Sequence, residues 1–437
     1  MKIIVIGGGA AGMSAASKAK RIDQNSDITV FEKTGYVSYA ECGIPYYLSN
    51  YFDDYNKLLH YPLSEFTEKR KINIFLNANI EHINNDEKYV LYKDKKYYYD
   101  KLVLATGAKP KIPDNFANNV YTIRNIEDAI NVNKNLKKSK DVTIIGAGVL
   151  GTELFSLLSK KYNVKLISKH ERLLPHMDDD IGNVLNNLIK KYNNNIEYNS
   201  LPLNIDKNND KYTVETTEGK HNADLVIFSA GISPENQMAN ALGIETKNNL
   251  IKVNDYMQTS IENIYAAGDN VTSRNIITND YDYFPLAQIA NKMGRTIGIN
   301  LYGNTRKFPG SLGTTIINVF GYQVGYTGLN EKKAKELNYD YDKVFVKAKS
   351  KSNYLNGNDV YLKIIINKKN DNILGAQIID QDNGAWRLNS IATAIKGKLS
   401  LYDLFYDDLG YEPEYGPVWD PIIIGASLGL DKSQSYI

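Results

Sequence analysis

A short apolar run, Lys2-Ile3-Ile4-Val5-Ile6, passes directly into Gly7-Gly8-Gly9-Ala10-Ala11-Gly12 and then into a helical stretch rich in Ala, Ser and Lys through Arg21. A second apolar run, Ile28-Thr29-Val30-Phe31, ends on Glu32. This order of strand, glycine turn, helix, strand and acid constrains the fold more than any other feature of the chain. Gly7 permits the tight turn, Gly9 lets the backbone approach a pyrophosphate, and Gly12 allows the helix to pack closely on the strand. The helix N-terminus, which includes Ala11, then receives the phosphates. Glu32, with Lys33 beside it, is placed to hold a ribose hydroxyl pair.

The same design returns at Asp141-Val142-Thr143-Ile144-Ile145, followed by Gly146-Ala147-Gly148-Val149-Leu150-Gly151 and Glu153. The next strand is Val164-Lys165-Leu166-Ile167, and it ends on Ser168 rather than an acid. An acid there would accept from a free 2′-hydroxyl and repel a 2′-phosphate. A hydroxyl beside Lys169, His170 and Arg172 suits the phosphate, which favours NADPH over NADH. Two dinucleotide folds need two dinucleotides. The class predicted is α/β, with two Rossmann-like domains.

Composition narrows the function. A chain of 437 residues is long enough for two or three domains. Its 43% hydrophobic and 23% charged residues suit an ordinary globular protein, and a net charge of +2 gives no argument for nucleic acid or an anionic membrane. Without an apolar run near the ~20 residues of a membrane span, or a charged-then-apolar leader, the expectation is a cytoplasmic protein with no membrane partner. Cys42 is the only cysteine. An internal disulfide, an Fe–S cluster and a thiolate-zinc site are therefore excluded, and no metal is expected. A lone cysteine is commonly a buried structural residue. If its thiol does chemistry, it pairs with a sulfur from outside or carries an oxygen.

Three further segments decide the context. Tyr99-Asp100-Lys101-Leu102-Val103-Leu104-Ala105-Thr106-Gly107-Ala108 is a strand ending in Ala-Thr-Gly. Leu225-Val226-Ile227-Phe228-Ser229-Ala230-Gly231 looks like its counterpart, and Ile264-Tyr265-Ala266-Ala267-Gly268-Asp269 ends on an acid. In this order the motifs resemble the FAD-dependent pyridine nucleotide-disulfide oxidoreductase superfamily over residues 1 to about 310. The resemblance implies FAD on the first fold, with Thr106, Gly107 and Asp269 at the flavin and Asp269 on a ribityl hydroxyl. NAD(P)H then lies on the second fold, with Gly231 where the chain returns from it. The implied domains are a split FAD domain (1–110 and 247–312), a nicotinamide domain (111–246) and a C-terminal α+β domain (313–437) that makes homodimers.

Within the superfamily, one cysteine leaves only the single-cysteine branch, which cycles through a mixed disulfide with coenzyme A or a sulfenic acid. The segment Ser38-Tyr39-Ala40-Glu41-Cys42-Gly43-Ile44-Pro45-Tyr46 resembles the coenzyme A-disulfide reductases, whose usual form has Asn where Glu41 stands. A carboxylate beside the thiol opposes its ionisation and repels phosphates. Oxidases and peroxidases of the branch carry a histidine in the first glycine loop, and this loop has none. The implied reaction is NAD(P)H-dependent reduction of coenzyme A disulfide, or of coenzyme A persulfide or polysulfide, through Cys42. The alternatives are an NAD(P)H oxidase with a Cys42 sulfenic acid, and a sulfur or polysulfide reductase.

The resemblance also implies site residues. Tyr354, in Tyr354-Leu355-Asn356-Gly357, and Tyr411, in Tyr411-Glu412-Pro413-Glu414, stand where family tyrosines act as acids on the partner subunit's thiol; Trp419 follows in the same segment. Leu286 and Ala287 open a helix beside the flavin, which makes Asn291 and Arg295 substrate or interface candidates. For the phosphates of coenzyme A, Lys18 and Arg21 lie on the first helix with Ser14 and Ser38 along the path. Arg70, in Lys69-Arg70-Lys71, is placed for the adenosine end.

Overall fold

The structure, a computed structural model, describes residues 1–209 and 211–433. The N-terminal strand Lys2–Ile6 is the centre of a five-stranded parallel sheet, in the order Ile264–Ala266, Lys101–Leu104, Lys2–Ile6, Asp27–Phe31, Asn73–Phe75. A strand with neighbours on both edges and cover on both faces must be apolar throughout, and Ile3 to Ile6 are all buried. The turn after it needs glycine: Gly7 has φ +107°, and its counterpart Gly146 has φ +112°. Helix Ala10–Ile22 then crosses the strand so closely that a Cβ on Gly12 would lie 1.9 Å from the Gly7 carbonyl oxygen. The equivalent distance for Gly151 and Gly146 is 1.8 Å. Both folds thus use the same local solution.

Helix Ala10–Ile22 buries Ala11, Ala15, Ala16 and Ala19. Helix Ala287–Asn300 lies against it. A Cβ on Gly294 would meet the Ala11 carbonyl oxygen at 2.0 Å, and one on Gly298 the Ala15 carbonyl oxygen at 2.7 Å. Small residues on both partners bring the two backbones together, which fixes the second helix, and the residues at its start, relative to the first glycine turn.

The chain divides into two compact units. The first comprises Met1–Ser139, Ala230–Asn275 and Asn279–Ser311; the second comprises Lys140–Ser229, Ile276–Thr278 and the chain from Leu312 onward. Residues 111–139 and 230–246 pack with the first unit. The reason is local. The outbound and return passages pair with each other as antiparallel strands Ala108–Pro110 and Ile232–Pro234, and helix Ile126–Leu136 packs on helix Ile44–Leu48.

In the second unit a four-stranded parallel sheet runs Ile196–Glu197, Asn163–Ile167, Asp141–Ile145, Leu225–Phe228. With it is a five-stranded antiparallel sheet in the order Thr315–Val319, Tyr322–Gly328, Ile373–Asp380, Asp359–Asn367, Tyr341–Lys349. The central strand Ile373–Asp380 is buried along its whole length. One polar cluster crosses from one sheet's domain to the other. Lys363, fully buried, meets Asp178 at 3.1 Å, Asp180 at 2.7 Å and the Glu331 carboxylate. Gln377 Nε2 donates to Asp178 Oδ2 at 2.7 Å. Among the described residues, no helix is long and apolar enough to cross a membrane.

Candidate active site

Cys42 is exposed in a short helical turn, Glu41–Gly43, that leads into helix Ile44–Leu48. Pro45, in the first turn of that helix, costs no hydrogen bond there. The thiol is therefore not the buried core residue that a lone cysteine commonly is. Its segment hangs on the first glycine turn: Ser38, at φ +52°, donates its backbone N–H to the Gly8 carbonyl oxygen at 2.9 Å. The segment is also tied to residues 58–60, with Ala40 N–H donating to the Leu58 carbonyl oxygen at 2.8 Å.

The carboxylate beside the thiol has a counter-charge. Arg124 Nη1 lies 3.2 Å from Glu41 Oε2, and Arg124 Nη2 lies 2.8 Å from Asp269 Oδ2. A chain of ion pairs thus links the cysteine turn to the acid that ends the third flavin motif. Burial pushes the Glu41 carboxyl above its ordinary range; Arg124 opposes this, and Asp269 and Glu32 add to it. For Arg124, burial works against the charge, and Glu41 and Asp269 more than restore it. Arg124 has no place in any of the sequence motifs. The signal for it was indirect: a half-buried Glu41 next to a reactive thiol requires a cation. Tyr283, also absent from the motifs, donates its hydroxyl to the Asp269 carbonyl oxygen at 3.0 Å, and burial raises its pKa, so it remains a neutral donor.

The other predicted residues of the first unit fall as follows. Glu32 is buried, accepting from Gly8 N–H at 2.6 Å and from Thr34 N–H and Oγ1 at 2.8 Å. Lys33 pairs with Glu235 at 2.6 Å. Thr106 Oγ1 donates to the Glu235 carbonyl oxygen at 2.6 Å and accepts from Asn270 Nδ2 at 2.9 Å, and Gly107 follows at φ +70°. Leu286 caps helix Ala287–Asn300, and Ala287 is its first residue. Ser14 Oγ donates to Asn291 Oδ1 at 2.6 Å, which brings two substrate candidates together; Arg295 is exposed one turn further along the same helix. Arg21 and Arg70 meet at Ser17, Arg21 Nε donating to its carbonyl oxygen at 3.1 Å and Arg70 Nη1 to its hydroxyl at 2.9 Å. Arg70 also pairs with Glu65 at 3.2 Å and lies over the rings of Tyr61 and Phe66, so much of its charge is already used. Lys18 is half-buried on the first helix.

In the second unit, Gly146, Gly148, Gly151 and Glu153 form the second glycine turn and the first turns of helix Val149–Leu158. Ser168 is 1% exposed, and its hydroxyl closes its own turn, donating to the His170 carbonyl oxygen and accepting from His170 N–H, both at 3.0 Å. Lys169 is exposed beside it. Arg172, read as a phosphate partner, instead pairs with Glu171 at 2.9 Å and with the Asp179 carboxylate. Gly231 lies with the first unit, where its carbonyl oxygen accepts from Lys111 N–H at 3.0 Å. Tyr354, Tyr411 and Trp419 are exposed by 70%, 50% and 59% on the C-terminal domain.

The two glycine turns fit pyrophosphates. Gly9 and Gly148 are the N-caps of their helices, and among the described residues no side chain caps either. A Cβ on Gly148 would have nothing described within 4 Å, and one on Gly9 only Glu41 Oε1, at 3.9 Å. Neither helix has an acid in its first turn, so the positive end of each is open to an anion. Beside Thr106, the buried Asn270 Oδ1 has no hydrogen-bond partner among the described residues, which leaves an acceptor for a donor on a bound group.

Residues 1–294 match the family model described as pyridine nucleotide-disulphide oxidoreductase, and residues 315–421 match its dimerisation domain. The chain is similar to a protein of Pyrococcus horikoshii named NAD(P)H coenzyme A polysulfide/persulfide reductase, 36% identical over 97% of both chains. It is also similar to a Staphylococcus epidermidis protein named coenzyme A disulfide reductase, 29% identical over 95% of this chain and 96% of that one. Among solved structures, an NAD-dependent persulfide reductase from A. fulgidus superposes with a TM-score of 0.95 at 31% identity, over 99% of this chain and 84% of that one. The chain belongs to the pyridine nucleotide-disulphide oxidoreductases, an FAD- and NAD(P)H-dependent family of enzymes.

Proposed function

We propose that the protein reduces coenzyme A disulfide, or the related coenzyme A persulfide or polysulfide, with electrons from NAD(P)H. The observation that carries this reading is the placement of the chain's single thiol: exposed, suspended from the first glycine turn, and joined through Glu41 and Arg124 to Asp269. When bound, FAD supplies the relay that takes two electrons from NAD(P)H as hydride and delivers them to a disulfide. Cys42 as thiolate attacks one sulfur of coenzyme A disulfide. A Cys42–coenzyme A disulfide forms, the S–S bond of the substrate breaks, and one coenzyme A thiolate leaves. Tyr411 or Tyr354, contributed by a second copy of the chain, gives that thiolate its proton; a phenol is neutral at pH 7 and can do so. Two electrons then cleave the mixed disulfide, releasing the second coenzyme A and restoring the Cys42 thiolate. The balance is one NAD(P)H and one proton consumed for two thiols formed.

Homodimerisation follows from the tyrosines' role and from the dimerisation domain. Ser14, Lys18, Arg21, Ser38, Asn291 and Arg295 line the route for the pantetheine and phosphates, with Arg70 at the adenosine end. The Ser168 turn and Lys169 receive a 2′-phosphate, so NADPH is preferred. A thiol cycled by NAD(P)H suits the reducing cytoplasm. Mass spectrometry of the untreated protein tests the central intermediate. A coenzyme A adduct on Cys42, released by NAD(P)H, is the expected result; a thiol that stays unmodified after incubation with coenzyme A disulfide contradicts it.

A further inference from the structure

Tyr354 and Tyr411 are 57 positions apart in the sequence, yet one side chain reaches both of their segments. Arg387, the first residue of helix Arg387–Gly397, is about 10% exposed and donates from all three guanidinium nitrogens. Its Nε donates to Asp420 Oδ2 at 2.7 Å and its Nη1 to Asp380 Oδ2 at 3.3 Å. Its Nη2 donates to the carbonyl oxygens of Ser350 at 3.3 Å and Tyr415 at 3.4 Å. Ser350 opens the segment that carries Tyr354, and Tyr415 and Asp420 belong to the segment that carries Tyr411.

The surrounding contacts serve the same arrangement. Asp380, at the end of the fully buried central strand, is 0% exposed and anchors the guanidinium to the sheet. A Cβ on Gly384 would fall 1.5 Å from Asp380 Oδ2, so the turn that brings Arg387 to Asp380 has room only for glycine. Asp382 fastens the Tyr354 segment at both ends: it accepts from the Ser350 hydroxyl, and from Asn358 N–H and Nδ2 at 3.0 Å. The two segments also touch directly, through Ser352 N–H and the Pro413 carbonyl oxygen at 3.4 Å. Asp420 in turn caps the final helix, accepting from Ile422 N–H at 2.9 Å.

We infer that Arg387 is a positioning residue, anchored on Asp380, that holds the Tyr354 and Tyr411 segments as one surface so that the two phenols meet the substrate disulfide together. Arg387 touches neither substrate nor cofactor in this role; it acts through the tyrosines. A fork with fixed donor geometry is needed to reach a side-chain carboxylate on each side and two carbonyls at once, which a lysine cannot do. The inference rests on the acid role proposed above for the tyrosines.

The test uses the flavin-loaded dimer and the variants Arg387→Met and Arg387→Lys. In Arg387→Met, amide hydrogen exchange is expected to accelerate in residues 350–358 and 411–420 together. kcat/KM for coenzyme A disulfide should fall at least about tenfold, while NADPH-dependent ferricyanide reduction and FAD content stay at the wild-type level. Arg387→Lys should not restore turnover. Added to Tyr354→Phe/Tyr411→Phe, Arg387→Met should cause no further loss, because the groups it positions are already gone. If leaving Asp380 without its partner prevents folding, Asp420→Asn carries the test: it removes one anchor of the Arg387 fork while keeping the Asp380 pair, and should accelerate exchange in residues 411–420 and lower kcat/KM. Unchanged exchange in both segments, or a loss that multiplies onto the tyrosine double variant, overturns the inference. A fall in ferricyanide reduction equal to the fall with the disulfide also overturns it, since that marks a general structural role. Wild-type turnover in the tyrosine double variant refutes the acid role instead, so the two failures are read from different measurements.

Discussion

Glu41 and Arg124 show why a residue that looks unfavourable in a motif can be tolerated in a fold. A carboxylate next to a redox thiol opposes thiolate formation, but here it is half-buried and ion-paired at 3.2 Å. Removing one partner of such a pair leaves an uncompensated charge in place. Arg124→Met should therefore slow alkylation of Cys42 by iodoacetamide at neutral pH by a factor of about 3–10, as expected for a lost cation near a thiol. Glu41→Gln should speed alkylation, and the double variant should return close to the wild-type rate. An unchanged rate in Arg124→Met would show that the pair does not act on the thiol. The glycines, Glu32, Asp269 and Cys42 were legible in the sequence because each sits at a fixed offset within a local motif. Arg124 and Tyr283 were not, because ion pairs and hydrogen bonds across 83 and 14 positions leave no periodic trace. The pairing of Arg172 with Asp179 from the next helix was not legible either.

At the scale of elements, the site depends on how closely two helices approach. Helix Ala287–Asn300 rests its glycines on helix Ala10–Ile22, and the Ser14–Asn291 hydrogen bond forms across that contact. A methyl group on Gly294 would sit 2.0 Å from the Ala11 carbonyl oxygen, a clash with backbone that no rotamer relieves. Gly294→Ala should cost on the order of 1–3 kcal/mol by forcing the helices apart. Purified protein should show reduced FAD occupancy and a lower midpoint of thermal unfolding. Full occupancy with an unchanged midpoint would mean the helices separate freely. The strand–turn–helix units were readable because hydrophobic runs and glycine spacing are local. The tight pairing of the two helices was not, since it depends on small residues more than 280 positions apart coming together.

For the molecule as a whole, the second unit joins its nucleotide fold to its C-terminal domain around Lys363. Burial works against its charge, but Asp180, Glu331 and Asp178 raise its pKa above the ordinary value. Lys363→Met would take the buried cation from Asp178 and leave Glu331 and Asp180 with Lys343 alone, at 2.8 and 3.7 Å, and should destabilise the protein by about 3–5 kcal/mol at neutral pH. Although burial works against ionisation, the Glu331 carboxyl is held below its ordinary value by Lys343 and Lys363, and that of Asp180 by Lys363 with a smaller contribution from Lys343. Their contribution is therefore present above the unfolded carboxylate range near pH 4 and is lost as pH falls through the lower, folded values. The gap in urea midpoint between wild type and Lys363→Met should narrow on acidification; a gap independent of pH would contradict this ionic account. The pairing of residues 108–110 with 232–234 spans more than 120 positions, a contact that no local motif announces. The central proposal is that the single thiol carries the reaction. The direct measurement is steady-state NADPH oxidation with coenzyme A disulfide as sole acceptor, in wild type and in Cys42→Ser of equal FAD content. Loss of at least about a hundredfold in kcat, with ferricyanide reduction retained, is the predicted result; a serine variant that keeps full coenzyme A disulfide activity would contradict the account.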